Sequence, residues 1–362
     1  MLLSHGAEPF ARYERTTVLH NVVQNRRFAS TYSSGVNPFL DILLNVPGLD
    51  FETRDSDGMT ILLLASGKDF GVGDKQRLAM FKQLIDLGAD IHARDHEGRT
   101  ILHHLCSSKR DFGTGKGSND DVEFVVSVAP ELLHATDNEG NTPLIRSLSG
   151  RTGVADSLIT LGADVRHANQ DGDTALHFIL KRAQWRVKSD DSIADERWYH
   201  LFNRVTKLGA DINTRNVAGE TPLVAFFRTG TVVGGISLPP LTDSEVEKQK
   251  KSGRPRDRGW EKMLLEQAAG IEKEHCVLRL FDQQGADWSV INNAGQNLLH
   301  VVAEDTRDEN RDRWNGRRVK RFEFLLSKGL DPRMEDGEHR TPLDMAAKLG
   351  LDDLLELFQD DR

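Results

Sequence analysis

The chain is poor in cysteine and has no long apolar run. Cys106 and Cys276 are its two cysteines in 362 residues, both set in apolar helical patterns. Two distant cysteines make no disulfide framework, and both read as buried thiols. No Asn-x-Ser/Thr sequon occurs, in keeping with an intracellular chain. The uninterrupted apolar run Ile61 to Ala65 is far too short to cross a bilayer. Met1-Leu2-Leu3-Ser4-His5-Gly6 lacks the basic start and apolar stretch of a signal peptide. The formal charge of −9 argues against a nucleic-acid surface, and no membrane partner is expected.

Catalytic signals are also missing. Gly113-Thr114-Gly115-Lys116-Gly117-Ser118 fails as a phosphate loop, because Gly follows Lys116 and no apolar strand precedes it. Asp55-Ser56-Asp57-Gly58 starts like a calcium loop, but its Gly comes too early and the bidentate Glu is missing. There is no serine or cysteine elbow. No catalytic, cofactor or metal site is expected.

What is present is one phrase used again and again. Leu87-Gly88-Ala89-Asp90 leads to Thr100-Ile101-Leu102-His103, and Leu161-Gly162-Ala163-Asp164 to Thr174-Ala175-Leu176-His177. Leu208-Gly209-Ala210-Asp211 leads to Thr221-Pro222-Leu223, and Gly285-Ala286-Asp287 to Asn297-Leu298-Leu299-His300. Each first glycine is followed seven residues later by Asp or Asn, and three residues after that by a second glycine, as in Gly88, Asp95 and Gly98. Pro130 and His339 replace a glycine in two copies. The first glycine ends an amphipathic run such as Met80 to Leu87, where a left-handed residue stops a helix. The second glycine follows polar residues, a tight-turn signal. Thr, often with Pro behind it, then caps a new helix. The unit is helix, glycine stop, projecting turn, capped helix. Such a helix pair cannot bury its apolar face alone, so neighbours must cover it.

Thr-x-Leu-His, Gly-Ala-Asp and Asp-x-x-Gly-x-Thr together resemble the ankyrin-repeat family. The resemblance covers residues 1 to about 358, with repeat starts at Thr17, Thr60, Thr100, Thr142, Thr174, Thr221, Asn297 and Thr341. It implies an all-α repeat solenoid, an elongated curved stack of helix pairs with β-hairpin fingers, occupying 1–362 as one domain of about eight repeats.

The chain departs from the family pattern in length. Family units run to about 33 residues, whereas these starts lie 43, 40, 42, 32, 47, 76 and 44 residues apart. The excess falls between the two helices of a unit, in polar or glycine-rich inserts at 67–74, 109–119, 183–195 and 305–316, predicted as loops or extended helix ends. The longest insert, 229–262, is predicted mostly disordered. The family's paired Ala survives only as Ala346-Ala347; Ile179-Leu180 and Phe226-Phe227 take that place elsewhere. Larger side chains there are expected to push helices apart. The N-terminus opens in mid-phrase, and the chain is expected to be the C-terminal portion of a longer array or a shortened reading of one.

His20, His103, His177 and His300 recur at equivalent places. They lie in different repeats, too far apart to share an ion, and the resemblance implies that each bonds a neighbouring linker. Two basic clusters stand out: Lys248, Lys250, Lys251, Arg254, Arg256 and Arg258, then Arg311, Arg313, Arg317, Arg318, Lys320 and Arg321. They read as a solvated loop and a charged helix face, with nuclear import as the functional alternative.

The resemblance implies a non-catalytic protein–protein interaction scaffold or adaptor, using turn tips and first-helix faces. The tip residues that vary on the fixed frame are His96, Arg99, Asn138, Asn141, Gln170, Asp173, Val217 and Glu220. A protein partner, a monomeric chain and a cytoplasmic location are expected, with nuclear entry left open by the basic insert. The alternative is a regulatory or sensor C-terminal portion of a larger enzyme or signalling protein; a nuclear co-regulator is a third reading.

Overall fold

A computed structural model describes residues 12–13, 16–17, 20, 49–67, 74–107, 119–149, 152–188, 190, 193, 197–229, 231–234, 274–304 and 315–357. These residues are mostly helical, and the chain divides into two compact units, Met1–Gln170 and Asp171–Arg362.

In the first unit, short strands β1 (Arg12–Tyr13) and β2 (Thr16–Thr17) pair antiparallel. The helices are α1 (Ile61–Gly67), α2 (Asp74–Asp86), α3 (Ile101–Ser107), α4 (Asp120–Val128), α5 (Pro143–Ser149) and α6 (Thr152–Thr160), with a 3-10 turn at Pro130–His134. They pack in two layers: α1, α3 and α5 side by side, and α2, α4 and α6 side by side. Helix α3 lies between neighbours in its own layer and against α4, which explains why Ile101, Leu102, His103, His104, Leu105 and Cys106 are all buried. A helix covered on nearly every side needs an apolar composition all round.

The second unit contains α7 (Ala175–Arg182), β3 (Gln184–Val187), α8 (Arg197–Lys207), α9 (Pro222–Thr229) and β4 (Thr231–Gly234). Then follow α10, described over 274–283, and α11 (Leu298–Ala303), α12 (Asn315–Ser327), α13 (Pro342–Lys348) and α14 (Asp352–Glu356). Again one layer runs α7, α9, α11, α13, and α12 packs on α11 and α14. Ile179-Leu180 and Phe226-Phe227, the larger pairs at the small-residue position, lie in the core, the two phenylalanines among other aromatic rings. All four side chains are fully buried. Phe226 meets Phe281 edge-on at 5.0 Å between centroids, and Phe281 meets Trp185 at 5.7 Å. Edge-to-face pairs of this kind add about 0.5–1.5 kcal/mol beyond area burial.

The helix stops follow the sequence. Gly88 has φ 99° and Gly162 φ 98°. In each case the glycine and the next residue donate back to the helix: Gly88 N–H to Ile85 O at 3.0 Å and Ala89 N–H to Leu84 O at 3.0 Å. This pair of bonds satisfies carbonyls that the helix end would leave orphaned. The turn that follows is organised by its constant Asp or Asn. Asp95 Oδ1 accepts the N–H groups of Glu97 and Arg99, both at 2.9 Å. Asn216 Oδ1 accepts those of Ala218 at 3.0 Å and Glu220 at 2.9 Å. Either residue supplies the same acceptor oxygen, so the two interchange along the chain.

The structure differs from expectation at several points. The turns at 50–60, 90–100, 136–142, 211–221, 287–297 and 331–341 contain no strand. Each closes on two short bonds of its own, such as Asp95 N–H to Arg99 O at 3.1 Å and Gly98 N–H to Asp95 O at 3.0 Å, and the tip bonds outward to another turn as well. Insert 183–195 is not a plain loop, because its start forms β3 with Trp185 and Val187 fully buried. The first residues of the 229–262 insert are also ordered, as β4, paired parallel to β3 from Gln184↔Thr231 to Val187↔Gly234. Both strands leave their first helix at the same offset, so they emerge side by side in the same direction. The rest of that insert lies outside the described residues, as do Lys248 to Arg258, Leu2 to Gly6, residues 113–118, and most of the inserts at 67–74, 109–119 and 305–316. Cys106 is buried as expected, but Cys276 is only half-buried.

Candidate functional site

Within each unit the turns are fastened tip to tip. In the first, His96 N–H donates to Asp57 O at 3.3 Å, Asn138 N–H to Glu97 O at 2.9 Å and Gln170 N–H to Glu139 O at 3.0 Å. In the second, Val217 N–H donates to Asp171 O at 2.8 Å, Asn293 N–H to Ala218 O at 3.0 Å and Gly337 N–H to Ala294 O at 2.8 Å. The second glycine of each turn sits beneath the next tip. A Cβ on Gly140 would stand 2.8 Å from Gln170 N, and one on Gly172 2.8 Å from Val217 N. First-position glycines have no such neighbour: a Cβ on Gly88 or Gly162 would meet no described residue within 4 Å. The two constant glycines therefore serve different purposes. The first supplies a backbone angle, and the second supplies that angle and a close approach.

The eight predicted tip residues fall into two groups. His96, Asn138, Gln170 and Val217 are exposed, Val217 at 69%. Asn138 also braces the row, donating through Nδ2 to His96 O at 3.0 Å. The other four are struts. Asn141 is buried, 4% exposed, and donates to Glu139 Oε2 at 2.9 Å. Arg99 Nε pairs with Asp95 at 2.7 Å, Asp173 accepts from Asn216 Nδ2 at 2.8 Å, and Glu220 pairs with Arg228 at 2.7 Å. Asn141 is thus corrected from a contact residue to a frame residue: it lies at the base of the turn, where a short amide reaches two carboxylates.

The constant aspartates are electrostatic anchors. Burial would raise the Asp95 pKa, but hydrogen bonds from His104 at 2.9 Å and Arg99 at 2.7 Å outweigh it and hold the carboxyl well below the usual range. Asp137 is lowered likewise, burial being overcome by Arg146 at 2.6 Å. The Asp55 carboxylate, which opens the calcium-like run, is committed to the N–H groups of Asp57 and Met59, both at 2.9 Å.

The recurrent histidines link repeats. His103 Nε2 donates to Asn141 O at 2.9 Å, His177 Nε2 to Glu220 O at 3.1 Å, His300 Nε2 to Arg340 O at 3.0 Å and His20 Nε2 to Met59 O at 3.2 Å. Nδ1 of His103 accepts its own capping N–H, from Thr100 at 3.1 Å. That acceptor role fixes the neutral tautomer with the proton on Nε2.

One set of arginines was not singled out from sequence. Arg94 Nη1 bridges its own turn at Gly98 O, 2.8 Å, to Thr136 O at 2.6 Å; Arg54 bridges Gly58 O and Arg94 O in the same way, and Arg215 reaches Ile291 O at 2.8 Å. The signal was an Arg directly before the constant Asp or Asn in three turns. The second basic cluster is not a solvated face. Arg311 and Arg313 lie outside the described residues, but Arg317, Arg318 and Arg321 on α12 are buried. Arg321 pairs with Glu274 at 2.6 Å, donates to Phe227 O at 2.9 Å and lies 5.1 Å from the Phe226 ring centroid. Nothing in a one-dimensional charge run distinguishes this from a wet helix face.

No family model matches the chain. A stretch of 95 residues, 26% of the chain, is 32% identical to diacylglycerol kinase zeta of Rattus norvegicus, and it covers 9% of that protein. Among the described residues no helix is long and apolar enough to cross a membrane.

Proposed function

We propose that the chain is an ankyrin-repeat solenoid and a non-catalytic protein-interaction scaffold, recognising its partner through the turn tips. The observation that carries this reading is the division of labour at each turn. The Asp or Asn shapes its own turn, the second glycine lets the next tip approach and the histidine ties a helix to a turn, while His96, Asn138, Gln170 and Val217 face solvent on main chain already fixed in place. Residues held this way lose little entropy on binding. Loops on a rigid scaffold are common recognition elements.

The test is a triple variant, His96→Ser, Gln170→Ser and Val217→Ser, which spares the bracing Asn138, compared with the wild-type chain in proximity labelling inside cells. Proteins labelled by the wild type are expected to drop out while the melting temperature stays within about 2 °C, as for surface changes of small cost. An unchanged set of labelled proteins with unchanged melting moves recognition off the tips.

A second reading makes the chain a regulatory or sensor part of a larger enzyme or signalling protein. It is favoured by the local likeness to diacylglycerol kinase zeta, which falls on a small part of that longer protein. Full-length transcripts that join this sequence to a catalytic region would support it.

A further inference from the structure

Trp288 departs from three other turns of the chain. Three residues after the first glycine, those turns place Ile91, Val165 and Ile212, all buried aliphatics. The turn of Gly285 carries Trp288 there instead, and it is only half-buried. Its ring meets Phe324 on α12 at 5.2 Å between centroids and 68° between planes. The ammonium of Lys328 lies 5.1 Å from the Trp288 centroid and 5.3 Å from that of Phe324. The same ammonium pairs with Asp282, whose other oxygen accepts the Trp288 indole N–H at 2.5 Å. Two ring faces and a carboxylate therefore converge on one cation, an arrangement that suits an alkylammonium ion.

The geometry points to a binding site: we propose that Trp288, Phe324 and Asp282 form a cleft for the alkylammonium of a partner's lysine-type side chain, with the chain's own Lys328 acting as a displaceable plug. Lys328 is one-quarter exposed and Asp282 more than one-third exposed. Ion pairs and cation–π contacts this wet are individually weak, so the plug is held largely by its tether, and only a partner anchored nearby supplies an ammonium at a competing local concentration. The aromatic pair stays in place because Trp288 also meets Phe227 in the second unit, centroids 6.4 Å apart. This cleft involves none of the turn tips and stands whether or not they bind a partner.

The test uses the full chain and two probes, Nα-acetyl-lysine methylamide and its Nε-trimethyl form, by isothermal titration. Lys328→Ala, with the plug removed, is expected to bind one of them about tenfold more tightly than the wild type. Adding Trp288→Ile, the residue type that other turns bury here, is expected to abolish binding without loss of the helical melting transition. Stronger binding of the trimethyl form assigns recognition to the ring faces, and stronger binding of the unmodified form assigns it to Asp282. No saturable binding by Lys328→Ala at about millimolar probe, or binding that survives Trp288→Ile, overturns the proposal. Binding by Lys328→Ala with none by the wild type at about tenfold higher probe concentration also overturns it, leaving Lys328 as a fixed internal clamp.

Discussion

The Nε2–H of His103 donates to the main-chain oxygen of Asn141 across 2.9 Å, joining a helix of one repeat to the turn of the next. The ring is fully buried, and burial pulls its pKa from 6.5 to about 4, the bond to Asn141 offsetting this only in part. His177 and His300 are lowered for the same reason. The unfolded chain takes up these protons near pH 6.5 and the folded chain only well below it, so the unfolded state binds more protons in between. Stability is complete above about pH 6.5 and falls as the pH drops towards about 4, for His103 alone by something on the order of 3 kcal/mol. Melting temperatures followed across this window are expected to fall, and His103→Gln to flatten the slope. A flat wild-type profile refutes the assignment of a neutral ring.

The two constant glycines are predicted to differ under the same substitution. Gly162→Ala places a Cβ in open space at φ 98° and is expected to cost about 1–2 kcal/mol, the strain of a left-handed alanine. Gly140→Ala adds a contact of 2.8 Å with the backbone nitrogen of Gln170 and is expected to cost more, because two turns must separate. Urea unfolding of the two variants measures the difference. Equal losses would show that the turns are not held at this spacing.

Removing Arg321 is predicted to be among the most damaging changes in the second unit. Arg321→Ala leaves the Glu274 carboxylate, 6% exposed, without its closest guanidinium, and a loss of about 3–5 kcal/mol is expected. The double variant Arg321→Met, Glu274→Leu is expected to recover most of it, since an apolar pair of similar volume avoids burying charge. Thermal unfolding of single and double variants checks this, and additive losses would count against a coupled pair.

Trp185 offers a change in the other direction. Its indole N–H is fully buried with no hydrogen-bond partner among the described residues, although its ring packs 5.5 Å from Phe202 between centroids. Trp185→Phe removes the orphaned donor, worth about 1–3 kcal/mol, and keeps an aromatic ring. The variant is expected to match or exceed the wild type in denaturant midpoint, the lost ring volume setting the limit. A loss above about 3 kcal/mol would mean that packing dominates.

Much of the local structure was legible in the sequence because it depends on near neighbours in the chain. Gly88 and Gly162 stop helices because only an achiral residue takes φ near 98° without strain. Asn297 and Thr341 cap helices because their side-chain oxygens reach the next amides, Leu299 at 3.0 Å and Asp344 at 3.1 Å. The link from His177 to Glu220 was expected from repeat equivalence and the family resemblance, not from chain proximity. Half of the candidate tip surface was legible too: His96, Asn138, Gln170 and Val217 are exposed where the turn pattern put them.

What the sequence by itself determined is the repeating unit: helix, glycine stop, Asp- or Asn-centred turn, capped helix, all governed by bonds spanning a few residues. What only the tertiary structure decided lies between distant segments. It buried Asn141 and Arg321, which a pattern of polar letters places outside. It paired β3 with β4, 47 residues apart, and brought Trp288, Phe324 and Lys328 together from separate elements. The physical reason is that a polar side chain is buried or exposed according to the partner it meets, and that partner is supplied by another repeat whose position no local rule specifies.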